Sequence, residues 1–150
     1  MIRVNDALPV RASGSDMSKA DLLARTTATP YERLGAAPVL RRLVDDFYGI
    51  MDRDPAAAGI RAMHAADLTD IRDRLFDWLS GWSGGPPVYN ARPDRKCIMS
   101  AHAPYAIGPA ERDQWMGCMR QALAGLEIND DVRDLFEAAF ARLADGLRNR

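Results

Sequence analysis

Apolar residues recur at helical spacing in four stretches of the chain. The first is Val39, Leu40, Leu43, Val44, Phe47, Tyr48 and Met51, and the second is Leu68, Ile71, Leu75, Trp78, Leu79 and Trp82. The third is Trp115, Cys118, Met119, Ala122 and Leu126, and the fourth is Val132, Leu135, Phe136, Ala139, Phe140, Leu143 and Leu147. Each puts apolar side chains at i, i+3, i+4 and i+7 with charges on the opposite side, the pattern of a helix that buries one face. No segment alternates apolar and polar residues over a useful length, so the predicted fold is all-α. The boundaries carry stop and start signals. Asp67 can cap the second helix, Gly84-Gly85-Pro86-Pro87 ends it, Gly108-Pro109 followed by Glu111 opens the third, and Asn129 or Asp130 can cap the fourth.

Two segments fall outside this pattern. Residues 1–30 hold Pro9, Gly14, Pro30 and several Ser and Thr but few large apolar residues, which reads as a mobile arm with a short helix through Lys19–Arg25. The globular domain is then expected over residues 31–150. The stretch from Gly84 to Gly108 is long for a helical bundle, polar and Pro-rich, and long loops in small domains tend to carry function.

Composition narrows the classes. A chain of 150 residues is one domain by size. With 20 Lys plus Arg against 21 Asp plus Glu, there is no cationic excess to hold a phosphate backbone, so no nucleic-acid partner is expected. No apolar run reaches the length of a membrane span or a secretory leader. Cys97 and Cys118 are too few for a disulfide framework and read as reduced thiols. The expectation is a soluble, cytoplasmic protein.

The candidate chemistry is sparse. There is no HExxH, CxxC, GxSxG, P-loop or GxGxxG, which leaves hydrolytic and nucleotide-binding readings without support. The two histidines are His64 and His102. A histidine in a loop is most often a bland structural residue. A single imidazole nevertheless suffices to hold an iron whose other four ligands come from a porphyrin. Tyr48 and Trp115 can pack as core residues. As a pair they also offer a phenol O–H and an indole N–H, two donors suited to bound dioxygen with its superoxide-like negative charge.

The segments YERLGAAPVLRRLVDDFYGIM, DLTDIRDRLFDWLSGWSGGPPVY and AHAPYAIGPAERDQWMGCM, followed by the final helix, lie in this order over Tyr31 to Leu147. This ordered set resembles the group II truncated haemoglobins, with WSGGPPVY, HAPYAIG and ERDQWMGCM its most specific pieces. The resemblance implies a two-over-two helical globin fold with an N-terminal extension and a haem b held non-covalently, since no CxxCH attachment motif is present. It matches His102 to the proximal iron ligand, Tyr48 of the Phe47-Tyr48 pair to the distal tyrosine, and Trp115 to the distal tryptophan. His64 falls at a variable polar or aromatic position, and Ile71 falls where many globins have a distal histidine. Leu75 and Trp78, four and seven residues on from Ile71, share its face. The implied pocket also includes Tyr89, Met99 and Tyr105. The family commonly has basic residues for the haem propionates just before the proximal histidine. Here those places hold Met99 and Ala101, with Arg95, Lys96 and Tyr89 nearby. The glycine pair common before the first long helix is here Gly35-Ala36.

Three functions follow from this reading. The first is a haem protein that binds oxygen and other diatomic ligands for redox chemistry, acting on nitric oxide or peroxide with electrons from a separate reductase. The second is a non-enzymatic oxygen or redox sensor working through residues 1–30, and the third is a helical interaction domain without haem. The retention of His102, Tyr48 and Trp115 together weighs against the third. Either a monomer or a homodimer is compatible with the sequence.

Overall fold

The structure, a computed structural model, describes residues 18–150, so most of the expected N-terminal arm lies outside the described residues. Helix α1 runs Lys19–Thr27, two residues beyond the predicted turn. Ser18 starts it, its hydroxyl accepting from the Asp21 amide while the Asp21 carboxylate accepts from the Ser18 amide. The same reciprocal cap, Thr29 with Glu32, opens α2 (Pro30–Leu34) with proline in the first turn.

Four long helices form the body: α3 (Ala36–Arg53), α5 (Thr69–Trp82), α7 (Pro109–Ala124) and α8 (Asp130–Gly146). Short α4 (Ala58–Arg61) follows a 3-10 turn at Pro55–Ala57. Helix α3 packs on α5 and α7, and α7 packs on α8, so the α3–α5 and α7–α8 pairs meet through α3 and α7. No strand occurs among the described residues.

The four apolar stripes meet in one core. Leu40, Leu43, Val44 and Phe47 of α3, Met119 of α7 and Phe140 of α8 have no exposed surface. Each such side chain contributes about 1.5–3 kcal/mol by leaving water. Leu135, expected in the fourth stripe, is instead exposed, because α8 turns only Val132, Phe136, Phe140 and Ala144 fully inward. Arg41, Arg42, Asp45 and Asp46 form a charged patch on α3. Arg41 pairs with Asp73 at 2.9 Å and sits 4.1 Å from the centre of the Phe76 ring, and Arg72 donates to the Asp45 carbonyl at 2.9 Å, so two of the four tie α3 to α5.

The punctuation works largely as the sequence implied. Asp67 accepts from the Thr69 amide at 2.9 Å, and Glu111 accepts from the Gly108 amide at 2.9 Å. Asn129 sits at the N-cap of α8 without a side-chain capping bond, while Asp130 pairs with Arg133 instead. After α5 the chain turns at Gly84 (φ +94°), and a β-carbon on Gly85 would lie 2.6 Å from the Tyr31 ring. The glycine pair thus lets α2 dock on the end of α5, where the Tyr31 amide donates to the Ser83 carbonyl at 2.9 Å. The stretch from Gly84 to Gly108 is not an unstructured loop. It contains a 3-10 turn at Val88–Ala91 and the five-residue helix α6, Ile98–His102.

Candidate functional site

His102 is the last residue of α6, and its position is settled by its own backbone. Nδ1 lies 2.7 Å from the Ile98 carbonyl, one turn back. A carbonyl can only accept, so Nδ1 carries the proton and Nε2 keeps a free lone pair. That tautomer is the one a metal-binding imidazole needs, with the second nitrogen fixed by a hydrogen bond. Ile98 and His102 share the i, i+4 face of α6 and both border a cavity of about 300 Å³.

The cavity is walled by α3, α5, α6, α7 and α8. Tyr48, Ile71, Leu75, Trp78, Trp115, Ile107, Leu143 and Leu147 supply its apolar and aromatic lining. Tyr48 is almost wholly buried, and burial pushes its phenol above the usual tyrosine range, with Arg72 opposing weakly; it therefore stays a neutral O–H donor. Neither the Tyr48 hydroxyl nor the Trp115 indole N–H is hydrogen-bonded to another described residue, and neither is sealed in the core, so both donors open onto the cavity. Both donors are thus free to bond a molecule that enters the cavity.

His64 also lines the cavity, its ring 5.8 Å from that of Tyr48. Its Nδ1 is 2.7 Å from the Ile60 carbonyl, so it too presents Nε2 as a lone pair, not as a donor. Burial lowers its pKa, the Ile60 carbonyl opposes, and Arg61 and His102 add to the lowering, which keeps the ring neutral.

Most of the residues singled out from the sequence do converge here: Tyr48, His64, Ile71, Leu75, Trp78, Tyr89, His102, Tyr105 and Trp115 all line the cavity. Two do not. Phe47 is completely buried behind the wall, its ring 4.9 Å from Tyr48 and 5.2 Å from Trp115, where it backs both donors. Met99 is exposed on the outside of α6, because it stands about a hundred degrees off the Ile98–His102 face.

The cationic groups at the cavity are Arg74, Lys96 and Arg112 rather than Arg95. Arg74 is held by Asp70 at 2.6 Å and by Asp94, and Arg112 by Asp145 at 2.7 Å. Lys96 has no carboxylate partner among the described residues, and its backbone is fixed by Tyr89. The Tyr89 hydroxyl donates to the Lys96 carbonyl at 3.0 Å and accepts from its amide at 3.1 Å. Arg74 was missed in the sequence although it lies three residues after Ile71 and four before Trp78, on the same face of α5.

An all-α fold of two helix pairs around a histidine-bearing apolar cavity is that of a globin of the shortened, two-on-two type. The bacterial-like globin family model matches residues 29–149. The chain is 39% identical to a group II 2-on-2 haemoglobin from Agrobacterium tumefaciens, with a TM-score of 0.77 over 82% of this chain and 95% of that one. A cold-adapted truncated haemoglobin from Pseudoalteromonas haloplanktis TAC125 is 35% identical, with a TM-score of 0.78 over 82% and 99%. The group 2 truncated haemoglobin YjbI of Bacillus subtilis is 28% identical over 76% of this chain and 81% of its own. The chain belongs to the bacterial-like globin family, among the group II truncated haemoglobins.

A globin implies haem, and the residues present fit it. The cavity is mostly apolar, as a porphyrin face requires; His102 and His64 each offer an imidazole lone pair to it; and Lys96, with no carboxylate partner among the described residues, and Arg74, already paired with Asp70 and Asp94, are the cations that would face the porphyrin's carboxylates.

Proposed function

We propose that this chain binds haem b non-covalently in the cavity, with the imidazole of His102 as the iron ligand and Arg74 and Lys96 beside the propionates. Haem supplies an iron that takes dioxygen and other diatomic ligands and exchanges electrons. The observation that carries the reading is the convergence of four groups on one apolar cavity: the lone pair of His102, the lone pair of His64, and the unpartnered donors of Tyr48 and Trp115. Tyr48 and Trp115 donate to a negatively polarised diatomic ligand. His64, neutral and with its proton turned to Ile60, serves on the same side as an acceptor. Residues 31–150 form the globin domain and residues 1–30 an extension to it.

Two donors on one ligand slow its loss, which suits redox chemistry on nitric oxide or peroxide better than bulk carriage. In this reading the electrons come from a separate reductase. The test is the absorption spectrum of the purified protein with His102→Gly beside it. The parent should show a Soret band, and the variant should lose most haem or its ferrous proximal signature and recover with added imidazole. A His102→Gly spectrum identical to the parent's refutes the ligand assignment. Nitric oxide or peroxide turnover with a supplied reductant then separates a redox enzyme from a binding protein.

A further inference from the structure

Helix α6 carries the histidine proposed as iron ligand, yet its own packing holds it weakly, with only Ile98, Ala101 and His102 half-buried against the cavity. It has five residues, none of them fully buried, and its N-cap Cys97 offers the Ser100 and Met99 amides only a thiol, a weak acceptor in place of a capping oxygen. A single turn in water does not hold itself, because nucleation costs more than one turn of hydrogen bonds returns. Its orientation is therefore imposed from the segments at its two ends. At the front, the Tyr89 hydroxyl closes on both backbone groups of Lys96. At the rear, the side chain of Asn149 closes on the turn that follows His102. Its Nδ2 donates to the Tyr105 carbonyl at 2.8 Å, and its Oδ1 accepts from the Ile107 amide at 2.9 Å. The Asn149 and Arg150 amides both donate back to the Ile107 carbonyl, at 2.9 and 3.1 Å.

The anchor for this clamp is itself fixed. Asp145 in the last turn of α8 accepts from Arg112 of α7 at 2.7 Å, and Leu147 lies against the cavity. A continuous path of contacts thus runs from α7 through α8 to Asn149, and from Asn149 to the turn that carries Tyr105 and Ile107, both cavity-lining residues.

We propose that Asn149 is a positioning residue for His102: by holding the turn 103–107 against the end of α8, it sets where α6 points the His102 imidazole into the cavity. The inference rests on the haem reading for its consequence but not for its geometry. Asn149 does not line the cavity, so its effect passes entirely through the backbone it holds.

The experiment compares the full chain with Asn149→Ala and with Arg33→Ala, a control that breaks the Arg33–Asp131 pair between α2 and α8. Amide exchange in the haem-free chains is read at Ala101 and Ala103, whose bonds to Cys97 and Met99 lie within α6 and do not involve Asn149. In the haem-loaded chains the iron–histidine stretching band and the rate of haem transfer to an acceptor apoprotein are read. Asn149→Ala should exchange about tenfold faster at both amides, equivalent to roughly 1.4 kcal/mol. It should also shift or broaden the stretching band and speed haem loss several-fold, while Arg33→Ala changes none of these. Unchanged exchange and an unchanged band in Asn149→Ala overturn the proposal. Equal changes in Arg33→Ala also overturn it, since they would reflect general loosening. Failure of the parent chain to take up haem would refute the haem reading instead, and the exchange arm would still decide the clamp.

Discussion

Tyr48→Phe removes one oxygen atom and leaves the ring where it is, 4.9 Å from Phe47 and 5.8 Å from His64. The structure gives this substitution two opposite signatures. The hydroxyl has no partner among the described residues, so its loss orphans nothing in the protein. Folding of the haem-free chain should then change by less than about 0.5 kcal/mol, where a buried and paired hydroxyl would cost about 1–3 kcal/mol. In the loaded protein the same hydroxyl is proposed to donate to a negatively polarised ligand, and such bonds contribute roughly 1.5–3 kcal/mol. At about 1.4 kcal/mol for each factor of ten, oxygen release should accelerate by about one to two powers of ten. Carbon monoxide, with less charge on its outer atom, should change far less. Urea titration of the haem-free chain and stopped-flow release of both gases are the assays. A large loss of stability would show that the hydroxyl is paired within the protein. Equal acceleration for oxygen and carbon monoxide would show that Tyr48 acts by shape. Trp115→Phe should resemble Tyr48→Phe, and the double variant should fall short of additivity because both donors share one acceptor.

Other predictions concern stability and the porphyrin carboxylates. Ala36 sits at φ +57°, a region costing an L-residue about 1–2 kcal/mol, so Ala36→Gly should raise stability by about 0.5–1 kcal/mol after the loss of backbone restriction, read as a higher urea midpoint; a lower midpoint refutes it. Lys96→Ala should speed haem transfer more than Arg95→Ala, since only Lys96 lines the cavity, and added salt should erase the difference. His64 is held below the ordinary histidine pKa, so the unfolded chain takes up that proton first and haem-free stability should fall as pH drops below about 6.5; His64→Gln should abolish that step. Asp94 and Asp145 are lowered by hydrogen bonds from Arg74 and Arg112, and Asp54 by the Ala56 amide and Gln121. Their contribution is present above the usual carboxylate range and lost as pH falls through it, giving a second, more acidic step in the same titration.

The four long helices were legible in the chain because an amphipathic helix writes its buried face at a fixed period, and caps such as Asp67 and Glu111 act within three residues of themselves. The tautomer of His102 is equally local, since its partner Ile98 lies one turn away. Resemblance to a family brought Tyr48, His102 and Trp115 together before any geometry did. What the sequence left undecided depends on packing between distant segments. Phe47 and Tyr48 are neighbours, about a hundred degrees apart on α3, and only the position of α7 decides that Tyr48 meets the cavity while Phe47 is sealed behind it. Leu135 fits its stripe by spacing but is exposed, because the partner helix covers a narrower band of α8 than the periodicity marks out. The support of α6 was invisible for the same reason. Tyr89 and Asn149 hold it through backbone groups, and backbone groups have no sequence signature; only the folded chain brings residue 149 to residues 105 and 107.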